Sequence, residues 1–151
     1  MEDVVWFDND EYELMREHLS RAYPCEGCGA LLGYKDTRRI NMVRPARNTL
    51  SGISAAEGYR IDAGQLRQIE NEAETAGMDL LGFYHSHPDK PAICSDEDIK
   101  HAVPGLIYVI VSVDEKGCTE TAGYIRMLPD KSGQDTCTKA VRPVIIIGGQ
   151  K

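Results

Sequence analysis

The sequence predicts an α+β fold in which helices pack against a mixed β-sheet. Three observations support this prediction. Two segments place apolar residues at helical spacing, several short β-branched or apolar segments are bounded by Gly or Pro, and no repeat or low-complexity stretch separates them. We therefore expect a single domain over residues 1–151, with its core at about residues 5–128 and a C-terminal strand and tail at residues 129–151.

The first part of the chain alternates one helix with short extended segments. Asp8–Ala22 carries apolar residues at helical spacing and has Asp8 or Asp10 available as its N-cap, which predicts an amphipathic helix. Gly27–Tyr34 is small and apolar, as in a buried strand, and Arg39–Arg44 alternates well enough to be its hairpin partner. We expect a loop over Pro45–Gly58 and a short strand over Tyr59–Ile61.

The second part adds two helices and the remaining strands. Asp62 is placed to cap a helix that runs to about Ala76, with Gly77 as its terminator. A strand over Leu80–Ser86 follows, and then a short helix from Ser95 toward Ala102. The later elements are a β-branched central strand at Leu106–Val113, a turn at Asp114–Gly117, a strand at Thr119–Leu128, a turn at Pro129–Gly133 and a final strand at Val141–Ile147.

Composition narrows the classes of function. The chain has 17 Lys and Arg residues against 24 Asp and Glu, and its formal net charge of −7 argues against nucleic acid as a partner. The longest mostly apolar run, Leu106–Val113, is too short to span a bilayer, and the N-terminus lacks the pattern of a signal peptide. Five cysteines without the density of a disulfide scaffold favour a reducing cytoplasm. We expect a soluble, cytoplasmic protein without a membrane partner.

Residues that can ligate a metal are concentrated between Gly82 and Asp98. His85 and His87 lie two apart in a predicted strand, so both imidazoles project to the same side of it. Pro88 ends that strand, and Asp98 follows at the start of a helix, close enough to return as an oxygen ligand. Two imidazoles and a carboxylate suit Zn²⁺ and leave a fourth tetrahedral position for water.

Each of these residues also has an ordinary structural explanation. The two histidines can be strand residues with satisfied hydrogen bonds, Asp98 can complement the helix dipole, and Ser95 can be a simple N-cap. Their combination is harder to explain in this way, because it brings nitrogen and oxygen ligands together from two rigid elements. The pattern therefore favours a metal site.

The spacing of this stretch resembles a known signature. His85-Ser86-His87-Pro88, six further residues and then Ser95-x-x-Asp98 match at every place the motif of the JAMM metalloproteases, also called the MPN-plus family. That family has a glutamate upstream, in a segment that enters a strand and continues with glycine and an apolar run, and Glu26 fits this place. The resemblance implies one JAMM domain with a cytidine-deaminase-like sheet, and the short chain is similar to the compact prokaryotic members.

The resemblance also implies roles for the residues. His85, His87 and Asp98 would hold Zn²⁺, Glu26 would be the general base, and Ser95 would donate to the oxyanion. The implied activity is a peptidase or isopeptidase that cuts after the C-terminal Gly-Gly of a small ubiquitin-like sulfur-carrier protein, including a type that frees cysteine from a carrier adduct. We expect the carrier tail to lie along a strand edge. The oligomeric state, a homodimer included, is left open.

Two rival classes stay open at this point. A catalytically silent scaffold of the same fold would lack the metal ligands, whereas all of them are present here. A metal-dependent nuclease is disfavoured by the acidic charge. A deaminase is disfavoured because its His-x-Glu and Pro-Cys-x-x-Cys pattern is absent.

The cysteines beside the motif have several interpretations. Cys25-x2-Cys28 brackets Glu26, but a structural zinc site would need a second pair of ligands at similar spacing, which the sequence lacks. We expect Cys28 to be a small buried residue. Cys25 and Cys94 are expected to be packing residues, and the alternatives are an oxidation-sensitive thiol near the metal or a thiol at a fifth ligand position.

Three remaining features are assigned no function. His18 and His101 have no partner at ligand spacing, so we expect them at helix surfaces or boundaries. Gly148-Gly149 echoes the tail of the implied substrate, and a frayed terminus is the expected explanation. Docking of this tail into a neighbouring molecule is the alternative.

Overall fold

The computed structural model describes residues 4–127 and 141–148. It contains eight strands and four helices within these residues. The strands are β1 Val4–Phe7, β2 Cys28–Gly33, β3 Arg39–Ile40, β4 Met42–Ala46, β5 Asp79–Pro88, β6 Ile107–Asp114, β7 Gly117–Arg126 and β8 Val141–Ile147. The helices are α1 Asn9–Ala22, α2 Ile53–Glu57, α3 Ala63–Thr75 and α4 Asp96–His101.

The strands form one mixed sheet in the order β3-β1-β8-β7-β6-β5-β2-β4. β5 and β6 pair in parallel, as β1 does with both neighbours, and the other pairs are antiparallel. Because β5 and β6 are parallel, the chain must cross over between them, and α4 lies in this crossover. The predicted α+β class with a mixed sheet and flanking helices is confirmed.

The two faces of the sheet bury different clusters. On one face, Met15 and Leu19 of α1 pack with inward-facing residues of β1, β2 and β5 to β8. On the other face, Ile69 and Ala73 of α3 pack against Ala30 and its neighbours on β2. Side chains alternate between faces along β5, so each helix meets a different set of its residues.

Gly29 of β2 allows the ring of Tyr84 on β5 to pack closely against the backbone, on the side of the sheet that faces α1. A Cβ atom at this position would overlap the ring of Tyr84, which lies directly across from it in the β2–β5 register. Tyr84 is fully buried, and its hydroxyl lies 2.7 Å from Nδ1 of His18. This contact connects α1 to the strand that carries the two histidines of the motif.

Both long helices begin at the residues that the sequence predicted. Asp62 caps α3 by accepting a hydrogen bond from the backbone N–H of Gln65 at 2.8 Å, and Gly77 follows the helix at φ +70°. Asp8 occupies the N-cap position of α1 without a side-chain cap bond. Its carboxylate instead accepts a hydrogen bond from Nε of Arg39 at 2.6 Å.

Three predictions in the first half of the chain were wrong in part. The strand Arg39–Arg44 divides at Asn41, where pairing changes from β1 to β2, so the hairpin partner of β2 is β4. The region Pro45–Gly58 is not all loop, because it includes the end of β4 and the five-residue helix α2, which is too short to show a period. Tyr59–Ile61 is not a strand, because the one backbone–backbone hydrogen bond that the structure gives for this segment joins the Arg60 carbonyl to the Thr49 N–H, and a single bond makes no ladder.

β1 was not predicted, because four residues are too few to show a reliable alternation. The predicted turn Pro129–Gly133 and the residue Leu128 lie outside the described residues. The other predicted strands appear as β2, β5, β6, β7 and β8, with no end shifted by more than two residues. No helix in residues 4–127 or 141–148 combines the length and the apolar character needed to cross a bilayer.

Candidate metal and catalytic site

Three potential metal ligands converge on the face of the sheet that carries α3 and α4. Nε2 of His85 and Nε2 of His87 lie 3.2 Å apart, and each lies 3.1 Å from a carboxylate oxygen of Asp98. Within residues 4–127 and 141–148 this is the one group of three or more His, Cys, Asp or Glu ligand atoms close enough to share an ion. The structure thus brings together the trio predicted from the motif.

The local sequence explains this convergence. β5 alternates its side chains, so Tyr84 and Ser86 face α1 while both motif histidines face the opposite side. At the start of α4, Ser95 accepts a hydrogen bond from the N–H of Asp98, and Asp98 accepts one from the N–H of Ser95, both at 3.0 Å. This capping box holds the Asp98 carboxylate at the first turn, where it meets the histidines.

The donor set fits a small tetrahedral cation such as Zn²⁺. Ligand atoms bound at about 2.0–2.1 Å in a tetrahedron are separated by roughly 3.3–3.4 Å. The two Nε2 atoms here are 3.2 Å apart, and Asp98 places Oδ1 at 3.1 Å from His85 and Oδ2 at 3.1 Å from His87. Imidazole nitrogens and a carboxylate oxygen are ligands that zinc accepts. Two neutral imidazole nitrogens this close together are also stabilised when they share one cation.

The pKa values of the trio reflect its mutual hydrogen bonds. Burial raises the pKa of Asp98, but hydrogen bonds from the two histidines reverse this and hold the pKa far below its usual range. Burial lowers the pKa of His85, which is 1% exposed, and Asp98 only partly opposes this effect. Burial also opposes protonation of His87, but its bonds to Asp98 and to the Pro91 carbonyl raise its pKa overall.

The two histidines are oriented differently. Nδ1 of His87 lies 2.9 Å from the carbonyl oxygen of Pro91, so an N–H at Nδ1 directs the Nε2 lone pair into the site. Nδ1 of His85 is buried and has no hydrogen-bond partner within the described residues. The ring of His85 is instead stacked on Tyr59, with centroids 4.6 Å apart and planes inclined by 27°.

Glu26 reaches the site from another part of the chain. Cys28 of β2 lies opposite His85 in the sheet register, and continuing that register by two residues carries Glu26 toward His87. The backbone continues this pairing, because Ser86 N–H donates to the Gly27 carbonyl at 3.1 Å and Gly27 N–H donates to Ser86 Oγ at 2.8 Å. The predicted base therefore lies on the same face as the ligands.

The pKa of Glu26 suits a proton acceptor. The side chain is 5% exposed, and burial raises its pKa from 4.5 to about 7. The positive character of His87 and Lys90 opposes the rise, whereas the Asp98 carboxylate adds to it. A carboxyl group with a pKa near neutral pH can both take and return a proton.

A cavity of about 600 Å³ connects these groups to solvent. It is lined by Glu26, His87, Ser95 and Asp98, and it continues along an apolar wall. The residues of that wall are Leu50, Tyr59, Ile61, Leu66, Phe83, Val103 and Tyr108. An extended peptide can therefore lie along this wall and reach the site.

Several residues of the site could not be found from the motif. Ser86 lies between the two histidines, but its role in holding Gly27 depends on a strand 59 positions earlier. Asn48 donates from Nδ2 to the carbonyls of Glu26 and Gly58, both at 3.0 Å. It therefore connects the backbone of Glu26 to the cavity wall. Asn in a turn was the only sequence signal, and it is not specific.

The other predicted features have ordinary environments. Burial, with the nearby Glu26, raises the pKa of the Cys28 thiol to about 12, as expected for an inert packing residue. Cys25 and Cys94 are half-buried, and neither belongs to a three-ligand group in the described part of the chain. His101 is exposed and pairs with Glu97 at 3.2 Å, and Gly149 of the terminal Gly-Gly lies outside the described residues.

The sequence of this chain is similar to those of known proteins. Residues 8–123 match the family model described as prokaryotic homologs of the JAB domain. A desampylase of Haloferax volcanii is 36% identical over 100 residues, which are 66% of this chain and 70% of that protein. A probable TtuB-protein conjugate cleaving protease of Thermus thermophilus is 37% identical over 111 residues, or 74% of this chain and 72% of that protein.

A solved structure supports the likeness of fold. It is the crystal structure of a JAB1/MPN domain protein from Archaeoglobus fulgidus, which aligns with a TM-score of 0.54 and 17% identity over 95% of this chain and 99% of that one. The family resemblance drawn from the motif is confirmed by the family match over residues 8–123.

Proposed function

The chain belongs to the prokaryotic JAB-domain family, and on this basis we propose that it is a zinc-dependent peptidase or isopeptidase acting on ubiquitin-like conjugates. The scissile bond follows the C-terminal Gly-Gly of a small ubiquitin-like sulfur-carrier protein. One observation carries the proposal: a single cavity joins a buried carboxyl group, Glu26, to His87, Asp98 and the Ser95 hydroxyl. The names of the two relatives, both of which refer to cleavage of conjugates or of a protein modifier, support the substrate class.

In this proposal His85, His87 and Asp98 hold the metal. When bound, Zn²⁺ lowers the pKa of a water molecule toward neutrality and polarises the scissile carbonyl. Glu26 accepts a proton as the water oxygen bonds to the carbonyl carbon, and it gives a proton to the amine as the C–N bond breaks. The raised pKa of Glu26 supports this exchange.

Ser95 stabilises the oxyanion that forms at the carbonyl. Its Oγ accepts a hydrogen bond from the N–H of Asp98 at 3.0 Å, which leaves its own proton available for donation. The residue is exposed and lines the cavity with the ligands, so a substrate can reach it. A single donor of this kind typically contributes ~3 kcal/mol to stabilisation of the transition state.

The substrate tail lies along the extended segment 58–62. Arg60 directs its backbone groups toward residues 48 and 49, since its carbonyl accepts from Thr49 N–H at 3.0 Å and its N–H donates to Asn48 Oδ1 at 3.2 Å. In an extended chain the flanking residues direct theirs the other way, which leaves Tyr59 and Ile61 to pair with a glycine tail in the cavity.

The edge strand β4 is a poor alternative for binding this tail. On its outer side the N–H of Val43 donates to Glu11 at 2.9 Å, Pro45 has no N–H, and the N–H of Arg47 donates to Gln65 at 2.6 Å. These donors are therefore unavailable for strand addition.

The test is intact-mass analysis of candidate carriers that extend past Gly-Gly by cysteine or by another residue. Wild-type protein loaded with zinc is expected to return each carrier to a mass that ends at Gly-Gly, whereas the Glu26→Gln variant leaves the extended form. A Gly-Gly-X peptide should also slow amide exchange at Tyr59 and Ile61. Carriers that all remain extended with wild-type protein contradict the proposal.

A further inference from the structure

The loop between His87 and Asp98 is held by hydrogen bonds to residues of β6 and β7. This loop, residues 89–94, runs from the end of β5 to the start of α4. Asp89 N–H donates to the Val113 carbonyl at 2.8 Å, and the Ser112 hydroxyl donates to the Lys90 carbonyl at 2.5 Å. The loop is thereby fixed to β6 at its first two residues.

Ala92 is fixed from both sides by β7. Its N–H donates to Oε1 of Glu120 at 2.7 Å, and its carbonyl accepts from the Tyr124 hydroxyl at 3.2 Å. The residue is 4% exposed, although it lies in a loop. Buried backbone groups need partners, and here side chains from a strand distant in sequence supply both.

Pro91 lies between these two anchored residues. Its carbonyl oxygen is the partner of His87 Nδ1 at 2.9 Å. This carbonyl also accepts from the Ile93 N–H at 2.8 Å, in a tight turn centred on Ala92. The anchors on Lys90 and Ala92 hold that turn in place and so orient the carbonyl that bonds to His87 Nδ1. Hydrogen bonds of this type tune ligand basicity and metal affinity.

We propose that Glu120 and Tyr124 are positioning residues that set the metal affinity of the site by fixing Ala92 and hence the Pro91 carbonyl. Neither residue belongs to the ligand trio, and both act through the backbone of the loop. The inference rests on the proposed metal-binding function. It adds that two residues of β7, which lie outside the sequence motif, influence the metal affinity of the site.

The test measures zinc affinity by competition with a chromophoric chelator. Glu120→Ala is expected to weaken zinc binding about tenfold, the lower end for loss of a hydrogen bond that supports a ligand. Glu120→Gln keeps an acceptor oxygen for the Ala92 N–H, so its affinity should stay near that of wild type. Tyr124→Phe removes the other contact and should weaken binding by a smaller factor.

Glu115→Ala is the matched control, because Glu115 is an exposed carboxylate in the turn between β6 and β7 and its removal changes the net charge equally. Glu120→Ala leaves the buried Ala92 N–H without its acceptor, so the zinc-free variant is expected to unfold at a somewhat lower temperature than wild type, and zinc affinity is compared at a temperature where every variant is folded. Equal zinc affinity in Glu120→Ala and Glu115→Ala would overturn the positioning role. A wild-type protein that binds no zinc would instead contradict the proposed function and this inference with it.

A second measurement needs no metal. Amide exchange at Ala92 in the zinc-free protein should be faster in Glu120→Ala than in Glu115→Ala, because the N–H loses its acceptor. Unchanged exchange would overturn the anchoring of the loop. Faster exchange together with weaker zinc binding is the result expected.

Discussion

The two halves of the site are held together by different parts of the protein. The ligand half, His85 to Asp98, lies within fourteen consecutive residues and is organised by hydrogen bonds among its own members and by a capping box. The base half, with the proposed base Glu26, lies just before β2, which pairs with β5, and its neighbour Gly27 bonds to Ser86, 59 positions later. In the proposed function, metal binding and proton transfer therefore depend on structures that can be altered separately.

This difference has a physical origin. A carboxylate in the first turn of a helix and two histidines on one face of a strand are positioned by local periodicity. The carboxyl of Glu26 is positioned only once two strands pair in register, since a slip of one residue would turn it to the opposite face. The ligand half should thus tolerate changes that disable the base half.

The largest expected effect separates the two halves directly. Glu26→Gln should abolish turnover and retain zinc, whereas His87→Ala should lose zinc and activity together, because only the second change removes a ligand. Zinc content measured by atomic absorption, together with single-turnover assays, distinguishes the variants. Equal zinc loss in both would contradict the division into two halves.

A smaller effect is expected at Ser95, which belongs to the ligand half but not to the ligand trio. Ser95→Gly should lower kcat about 100- to 1000-fold through loss of the oxyanion donor, while glycine as N-cap costs only a few tenths of a kcal/mol. Ser95→Thr keeps both the hydroxyl and the cap and should remain active. If Ser95→Gly lost zinc instead, the residue would be a cap for Asp98 and nothing more.

Ser86 connects the halves, and its loss should move one relative to the other. Ser86→Ala removes the acceptor of the buried Gly27 N–H, which is expected to cost about 1–3 kcal/mol of stability. The displacement of Glu26 should lower kcat roughly 10- to 100-fold with little change in zinc affinity. Chemical denaturation and zinc competition measure the two effects, and Ser86→Thr is the matched control that keeps a hydroxyl. A parallel fall in zinc affinity and kcat would argue against this connecting role.

The smallest expected effect is on stability and depends on pH. Since folding raises the pKa of Glu26 to about 7, the wild-type protein without zinc loses stability as the pH rises from about 4.5 through 7, where the buried carboxyl ionises. Glu26→Gln has no such charge. It should therefore be more stable than wild type by about 1–3 kcal/mol at pH 8, and the two should converge at pH 4.5.

Thermal unfolding in the presence of a chelator at the two pH values measures this difference. Groups that do not interact with Glu26 titrate equally in both proteins and cancel in the comparison, whereas His87, whose pKa is raised in part by Glu26, adds to the measured difference. A constant difference in Tm between pH 4.5 and 8 would show that Glu26 does not ionise in this range.

The elements that the sequence predicted well are those with several repeats of a period. The helices α1 and α3 have buried residues at regular spacing and recognisable ends, and β6 is a continuous β-branched run. The segments that were missed or divided are β1, α2 and β3, all of five residues or fewer. Such segments take their conformation from the neighbours they pair with, and this information is not local.

The spacing in the sequence indicated the three potential metal ligands and the capping of Asp98, because residues two apart on a strand and three apart at a helix start share a face. The sequence also indicated Glu26, but only by resemblance to a family. Only the tertiary structure shows that Glu26 is buried on the same face as His87 and that Ser86 bonds to the neighbouring Gly27. It also shows that Glu120 and Tyr124 bond to Ala92 in the loop behind His87. These contacts join residues more than twenty positions apart, and only the pairing of strands brings them within hydrogen-bond distance.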